Sequence, residues 1–130
     1  MTESHTRTPL RSVTRTAAGA TLVTLHGEID LLTARQLSAR LDELTSGSRP
    51  DLVIDLRPVD FIDCAGLGVL CRARNRVMHR DGRLRLVSDS ASFRQVLRAT
   101  GLSDVFELHR HLPESVNGLP SSEPVPAHRD

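Results

Sequence analysis

Apolar residues along this chain recur in two rhythms, the period of two of a strand and the longer period of a helix. Leu10 to Thr16 alternates weakly and Thr21 to His26 more clearly, with Ala18-Gly19-Ala20 between them, which predicts a hairpin. Gly27-Glu28-Ile29-Asp30 closes the second strand and turns the chain. Thr33 and Gln36 have the spacing of a capping box. Leu37, Leu41 and Leu44 then repeat along one helical face until Gly47 to Pro50 ends the run. Leu52-Val53-Ile54 is a continuous apolar triplet, as in a central strand covered on both faces of a parallel sheet. A second helix is predicted from near Gly66, with Leu67, Leu70, Cys71, Val77 and Met78 inward, Arg72, Arg76 and Arg80 mainly outward, and Asp81-Gly82 as its break. Arg83 to Ser88 reads as the next strand. Ser90 caps a third helix carrying Phe93, Val96 and Leu97, and Gly101-Leu102 has the glycine and the apolar residue of a helix stop. Val105-Phe106 is a candidate last strand.

The order β-β-α-β-α-β-α-(β) is that of an α/β fold. Its strand-helix-strand unit from Leu52 to Val87 requires parallel neighbours joined by a right-handed crossover. The expectation is a mixed, mostly parallel sheet of four to five strands with three or more helices. A chain of 130 residues is one domain's worth. We read residues 1–9 as a flexible N-terminal arm, 10–112 as the domain, and 113–130, where Pro, Ser, Gly and Glu take over, as a disordered tail. There is no internal repeat.

Composition narrows the function more than the fold. Three Phe and no Tyr or Trp leave the core to Leu, Val, Ile and Ala. All 17 basic residues are Arg, yet the net charge is only +1 with both signs interspersed, so no strong field for nucleic acid or a membrane surface is expected. With no aromatics among the basic residues, a base-stacking platform is not expected either. No apolar run approaches the ~20 residues of a membrane span, and the N-terminus has no hydrophobic signal region. Cys64 and Cys71, seven positions apart on one helical stretch, are about two turns distant and too far for a disulfide. They read as reduced thiols, and the protein as soluble and cytoplasmic.

The most informative stretch is Asp55 to Leu70, an apolar strand and short turn followed by Phe61-Ile62-Asp63-Cys64-Ala65-Gly66-Leu67-Gly68 at the start of a helix. Together with Gly27-Glu28-Ile29-Asp30 at a strand end, and Leu84-Arg85-Leu86-Val87 followed by the Ser90-to-Thr100 helix and Gly101-Leu102, it resembles the STAS domain. That domain is shared by sulfate transporters and anti-sigma factor antagonists (anti-anti-sigma factors), and the resemblance runs from about Leu10 to Leu112. It implies a STAS-like α/β fold and, in the antagonists, partner switching. The unphosphorylated antagonist binds an anti-sigma factor that is also a protein kinase and so frees a sigma factor; phosphorylation breaks that complex.

The residue before Gly-Leu-Gly is usually Ser or Thr in these antagonists, and that is where the kinase acts. Here it is Ala65, which cannot accept phosphate. Three readings follow: an antagonist permanently in its binding state, a switch moved to Ser88, Ser90, Ser92 or Thr100, or a scaffold that no longer meets a kinase. The intact surrounding motif favours the first. The resemblance implies a partner-binding face formed by Asp30, Asp63, Cys64, Ala65, Gly66, Leu67 and Gly68. Asp63 is read first as the cap of the helix N–H groups and second as a partner contact; Asp30 is equally read as a cap near the first helix, and Gly66 and Gly68 as sites of close internal packing. Cys64 at a helix start is a candidate redox thiol, more simply a small half-buried residue.

Other classes fit poorly. A receiver domain needs a Lys, and the chain has none. Gly66-x-Gly68 has Cys71 where a dinucleotide fingerprint needs its third glycine. His109 and His111 alternate with no further ligand nearby, so no metal site is expected. No nucleophile-base set or phosphate loop is present, and neither an enzyme nor a cofactor is expected. The expected partner is an anti-sigma factor with a kinase-like ATPase domain, with homodimer and monomer both open. The alternative is a ligand-binding or scaffold STAS domain, sensing a nucleotide or serving a lipid-transport complex.

Overall fold

The computed structural model describes residues 8–17 and 19–116. The chain runs β1 (Arg11–Ala17), β2 (Ala20–Ile29), α1 (Ala34–Leu44), β3 (Asp51–Asp55), β4 (Val59–Ile62), α2 (Cys64–His79), β5 (Arg83–Val87), α3 (Ala91–Ala99) and β6 (Glu107–His109). The sheet order is β1-β2-β3-β5-β6, with β4 pairing β2 off this path. Only β1–β2 is antiparallel; the other pairs are parallel. The α/β class and the mixed sheet are as expected, with six strands in place of four to five.

Alternation in the strands builds two apolar layers. Val23, Leu25, Leu52, Ile54, Leu84 and Leu86 meet the inner faces of all three helices through Leu37, Leu41, Leu70, Val77, Phe93 and Leu97. Ala20, Leu22, Val53 and Val87 point to the opposite face. Among the described residues no helix packs there, and Leu112 and Val116 cover it. Val116, inside the stretch expected to be tail, is thus buried, while 117–130 and 1–7 lie outside the described residues.

Local rules explain most boundaries. Ser90 accepts the Phe93 N–H and opens α3. Gly101, at φ +75°, closes it: its N–H donates to Arg98 and that of Leu102 to Leu97, the paired bonds of a Schellman stop. Gly27, at φ +97°, lies against the Pro9 carbonyl with no space for a Cβ, and there the β2–β4 register shifts.

Four expectations change. The four residues of β4 were not foreseen, because they are half-buried or exposed throughout and carry no alternation. The capping box does not form: Thr33 is helical in conformation, and its hydroxyl points backward to the Glu28 carbonyl at 3.0 Å. Met78 is 52% exposed, since Ala73 and Val77 already occupy the inner face of that turn. Val105 and Phe106 are not a strand. They fill the core's edge from a turn closed by Val105 N–H to Leu102, and the last strand begins at Glu107.

Candidate functional site

β2 and β4 run parallel with Ile29 opposite Ile62, so the turns that follow them emerge side by side. The first is residues 30–33 and the second leads into α2. Asp63 joins the two. Its N–H donates to the Ile29 carbonyl at 3.1 Å, one carboxylate oxygen accepts the Gly66 N–H at 3.1 Å, and the other accepts the Leu31 N–H at 3.2 Å. The carboxylate therefore caps α2 and ties down the neighbouring turn. One acidic side chain does both because parallel pairing brings residues 32 apart in sequence into contact.

Asp30 organises its own turn. Its carboxylate accepts the N–H groups of Leu32 and Thr33 at 3.0 and 3.1 Å, and its N–H donates to the Thr33 hydroxyl at 3.0 Å. The two leucines between Asp30 and Thr33 face solvent. Leu31 is 76% and Leu32 74% exposed. Adjacent exposed leucines on a hydrogen-bonded turn are an unusual use of apolar side chains. The sequence reasoning missed them. The signal was there: Leu31-Leu32 interrupts a polar turn and fits neither the strand period nor the helix period.

The first turns of α2 divide between inside and outside. Cys64 and Gly68 are exposed and Ala65 half-buried, whereas Gly66 and Leu67 are buried. A Cβ on Gly66 would lie 2.6 Å from Ile62 Cγ1 and 2.8 Å from Ile29 Cγ2, so this glycine allows α2 to sit against β2 and β4. Gly68 has nothing within 4 Å of its absent side chain and leaves an open step on the outer surface. Of the seven residues singled out from the sequence, Cys64, Ala65 and Gly68 share the outer face, Asp30 and Asp63 build the frame, and Gly66 and Leu67 support it from beneath.

Charge enters further along α2. Arg72 forks onto Asp42 of α1 at 3.1 and 2.9 Å, and Arg76 approaches the same carboxylate at 3.3 Å. The Arg72 hydrogen bonds hold the Asp42 carboxyl below its usual range against the opposing effect of burial, and fix α2 against α1. Cys64 and Cys71 are free thiols. Among the described residues no three His, Cys, Asp or Glu side chains converge on a metal-sized site, and no helix is long and apolar enough to cross a membrane.

The other hydroxyls weighed as phosphate acceptors differ. Ser88 is 2% exposed and its oxygen accepts the Ser90 N–H; Ser90 is the cap of α3; Thr100 donates to the Val96 carbonyl; Ser92 is exposed.

Comparison with known proteins places this geometry. The STAS domain model matches residues 11–115. Anti-sigma-F factor antagonist RsfB of Mycobacterium tuberculosis is 29% identical over 111 residues, covering 83% of this chain and 90% of the relative. The anti-sigma-B factor antagonist of Listeria monocytogenes is 33% identical over 92 residues, covering 71% of this chain and 80% of the relative. Among solved structures, an anti-sigma factor antagonist from Mycobacterium paratuberculosis superposes with a TM-score of 0.74 at 28% identity, over 83% of this chain and 92% of that one.

Proposed function

This chain belongs to the STAS domain family, and we propose that within it the protein is an anti-sigma factor antagonist. In this reading it acts in the cytoplasm, binds an anti-sigma factor with a kinase-like ATPase domain, and so releases a sigma factor. The observation that carries the reading is the Asp63 clamp. It presents the α2 turn and the Leu31-Leu32 turn as one surface, in a chain whose curated relatives are named antagonists of this kind.

The contact face consists of Leu31, Leu32, Cys64, Ala65 and Gly68. The leucines are the apolar anchors, since burying one fully is worth roughly 1.5–3 kcal/mol. Gly68 lets a partner's backbone approach. Asp30, Asp63, Gly66 and Leu67 position these groups. Ala65 stands at the usual phosphoacceptor position and has no hydroxyl, so the protein is held in the equivalent of the unphosphorylated, binding state. It is then controlled by its amount rather than by a kinase acting at that turn.

The test is capture of tagged protein from its own cells, comparing wild type with a Leu31→Ser/Leu32→Ser variant. An anti-sigma factor carrying a kinase-like ATPase domain is expected with wild type, and at least tenfold less of it with the variant. Recovery of transport or scaffold components instead, or an unchanged yield with the variant, would overturn the reading.

A further inference from the structure

Among the described residues β4 pairs with β2 alone, on one side. Its other side forms a wall of a groove of about 360 Å³, and the first turns of α3 form the facing wall. Leu56, Val59, Ile62 and Phe93 supply its apolar part, and Ser88, Ser90 and Ser92 line it beside them. Phe61 and Val96 also line it and are 52% and 36% exposed, unusual for large apolar side chains standing together. Asp60 is the one charged residue of the lining. It is exposed and takes part in no ion pair among the described residues. The neighbouring cation, Arg57, does not neutralise Asp60, because its guanidinium is closed on Asp55 by two 2.9 Å bonds.

We propose that this groove is a docking site for an extended segment of another protein, one that runs along the free side of β4, sets an aliphatic side chain against Phe93 and presents an Arg or Lys to Asp60. Three observations fix that chemistry. A strand paired on one side accepts an extended backbone. A groove of about 360 Å³ is at the small end of ligand sites and suits one or two aliphatic side chains. Asp60, the one charged residue of the lining, selects a cation. The groove shares Ile62 with the packing of Gly66 but contains neither Asp30 nor Asp63, and the proposal does not depend on the anti-sigma reading.

The experiment is an NMR titration of the full ¹⁵N-labelled chain with two capped hexapeptide probes, one alternating valine with arginine and one alternating valine with glutamate. The arginine probe is expected to shift amides of residues 59–62 and 90–96 and the glutamate probe to leave them unmoved. Asp60→Arg, an exposed change, is expected to weaken the arginine probe at least tenfold and to admit the glutamate probe. A second variant, Val96→Asp, is expected to weaken the arginine probe despite adding an attractive charge, because the aliphatic contact is lost. No shifts in these segments, shifts scattered over surface carboxylates, or arginine-probe binding unchanged in Asp60→Arg would overturn the proposal.

Discussion

At the scale of single residues, Gly66 and Gly68 look interchangeable in the sequence and do opposite things in the fold. Gly66 is buried against Ile29 and Ile62, and Gly68 opens on solvent. Gly66→Ala must push two packed side chains apart and is expected to lower stability by about 1–3 kcal/mol in urea unfolding. Gly68→Ala adds a good helix former in open space and is expected to leave stability unchanged or raise it by about 0.5–1 kcal/mol, while weakening the partner complex. The sequence identifies the motif and the missing hydroxyl at Ala65 directly. It does not separate the two glycines, because the difference depends on a strand, β4, that the sequence pattern does not reveal. Leu31 and Leu32 show in the sequence only as a break in both periods; their exposure follows from bonds made by Asp30 and Asp63.

At the scale of elements, turns and caps were legible where one local rule decides, as for Ser90 and Gly101, and not where tertiary contacts do. Thr33 has the sequence of a capping box, yet its hydroxyl is used by the end of β2. Val105 and Phe106 have the apolar character of a strand, yet they serve the core from a turn. Asp63 is the element-scale hinge of the account. Asp63→Ala removes a helix cap and is expected to cost about 0.5–2 kcal/mol. It also frees the adjacent turn, so amide exchange at Leu31 is expected to accelerate beyond the global change.

A second element-scale contact joins β5 to β6. Arg83 forks onto Glu107, which also meets His109 at 3.0 Å. These bonds, Arg83 first, lower the Glu107 carboxyl from 4.5 to about 2. A depressed carboxyl contributes stability that is fully present above its unfolded value and is lost as pH falls through the folded one. Wild type is therefore expected to lose part of its stability between about pH 4.5 and pH 2. Glu107→Gln should be less stable than wild type near neutrality and show a shallower loss across that window in urea unfolding followed by circular dichroism. Equal slopes for the two proteins would contradict the assignment.

At the scale of the whole molecule, three helices cover one face of the sheet, and the second face relies on Leu112 and Val116. Val116, past the point where composition begins to shift toward Pro and Ser, is buried there. The α/β class and mostly parallel sheet were legible, because Leu52-Val53-Ile54 and the helical runs around it leave few alternatives. The layering was not, since it depends on a C-terminal segment with little periodicity of its own. In the proposed function the partner surface lies where β2 and β4 end together and binds without a phosphorylation switch. Calorimetry of the protein with the kinase-type anti-sigma factor captured from its cells, before and after incubation with Mg-ATP, tests this most directly. Wild type is expected to bind with the same affinity in both conditions, and Ala65→Ser to bind before incubation and lose affinity after it. Loss of wild-type binding after ATP, or no binding under either condition, would contradict the account.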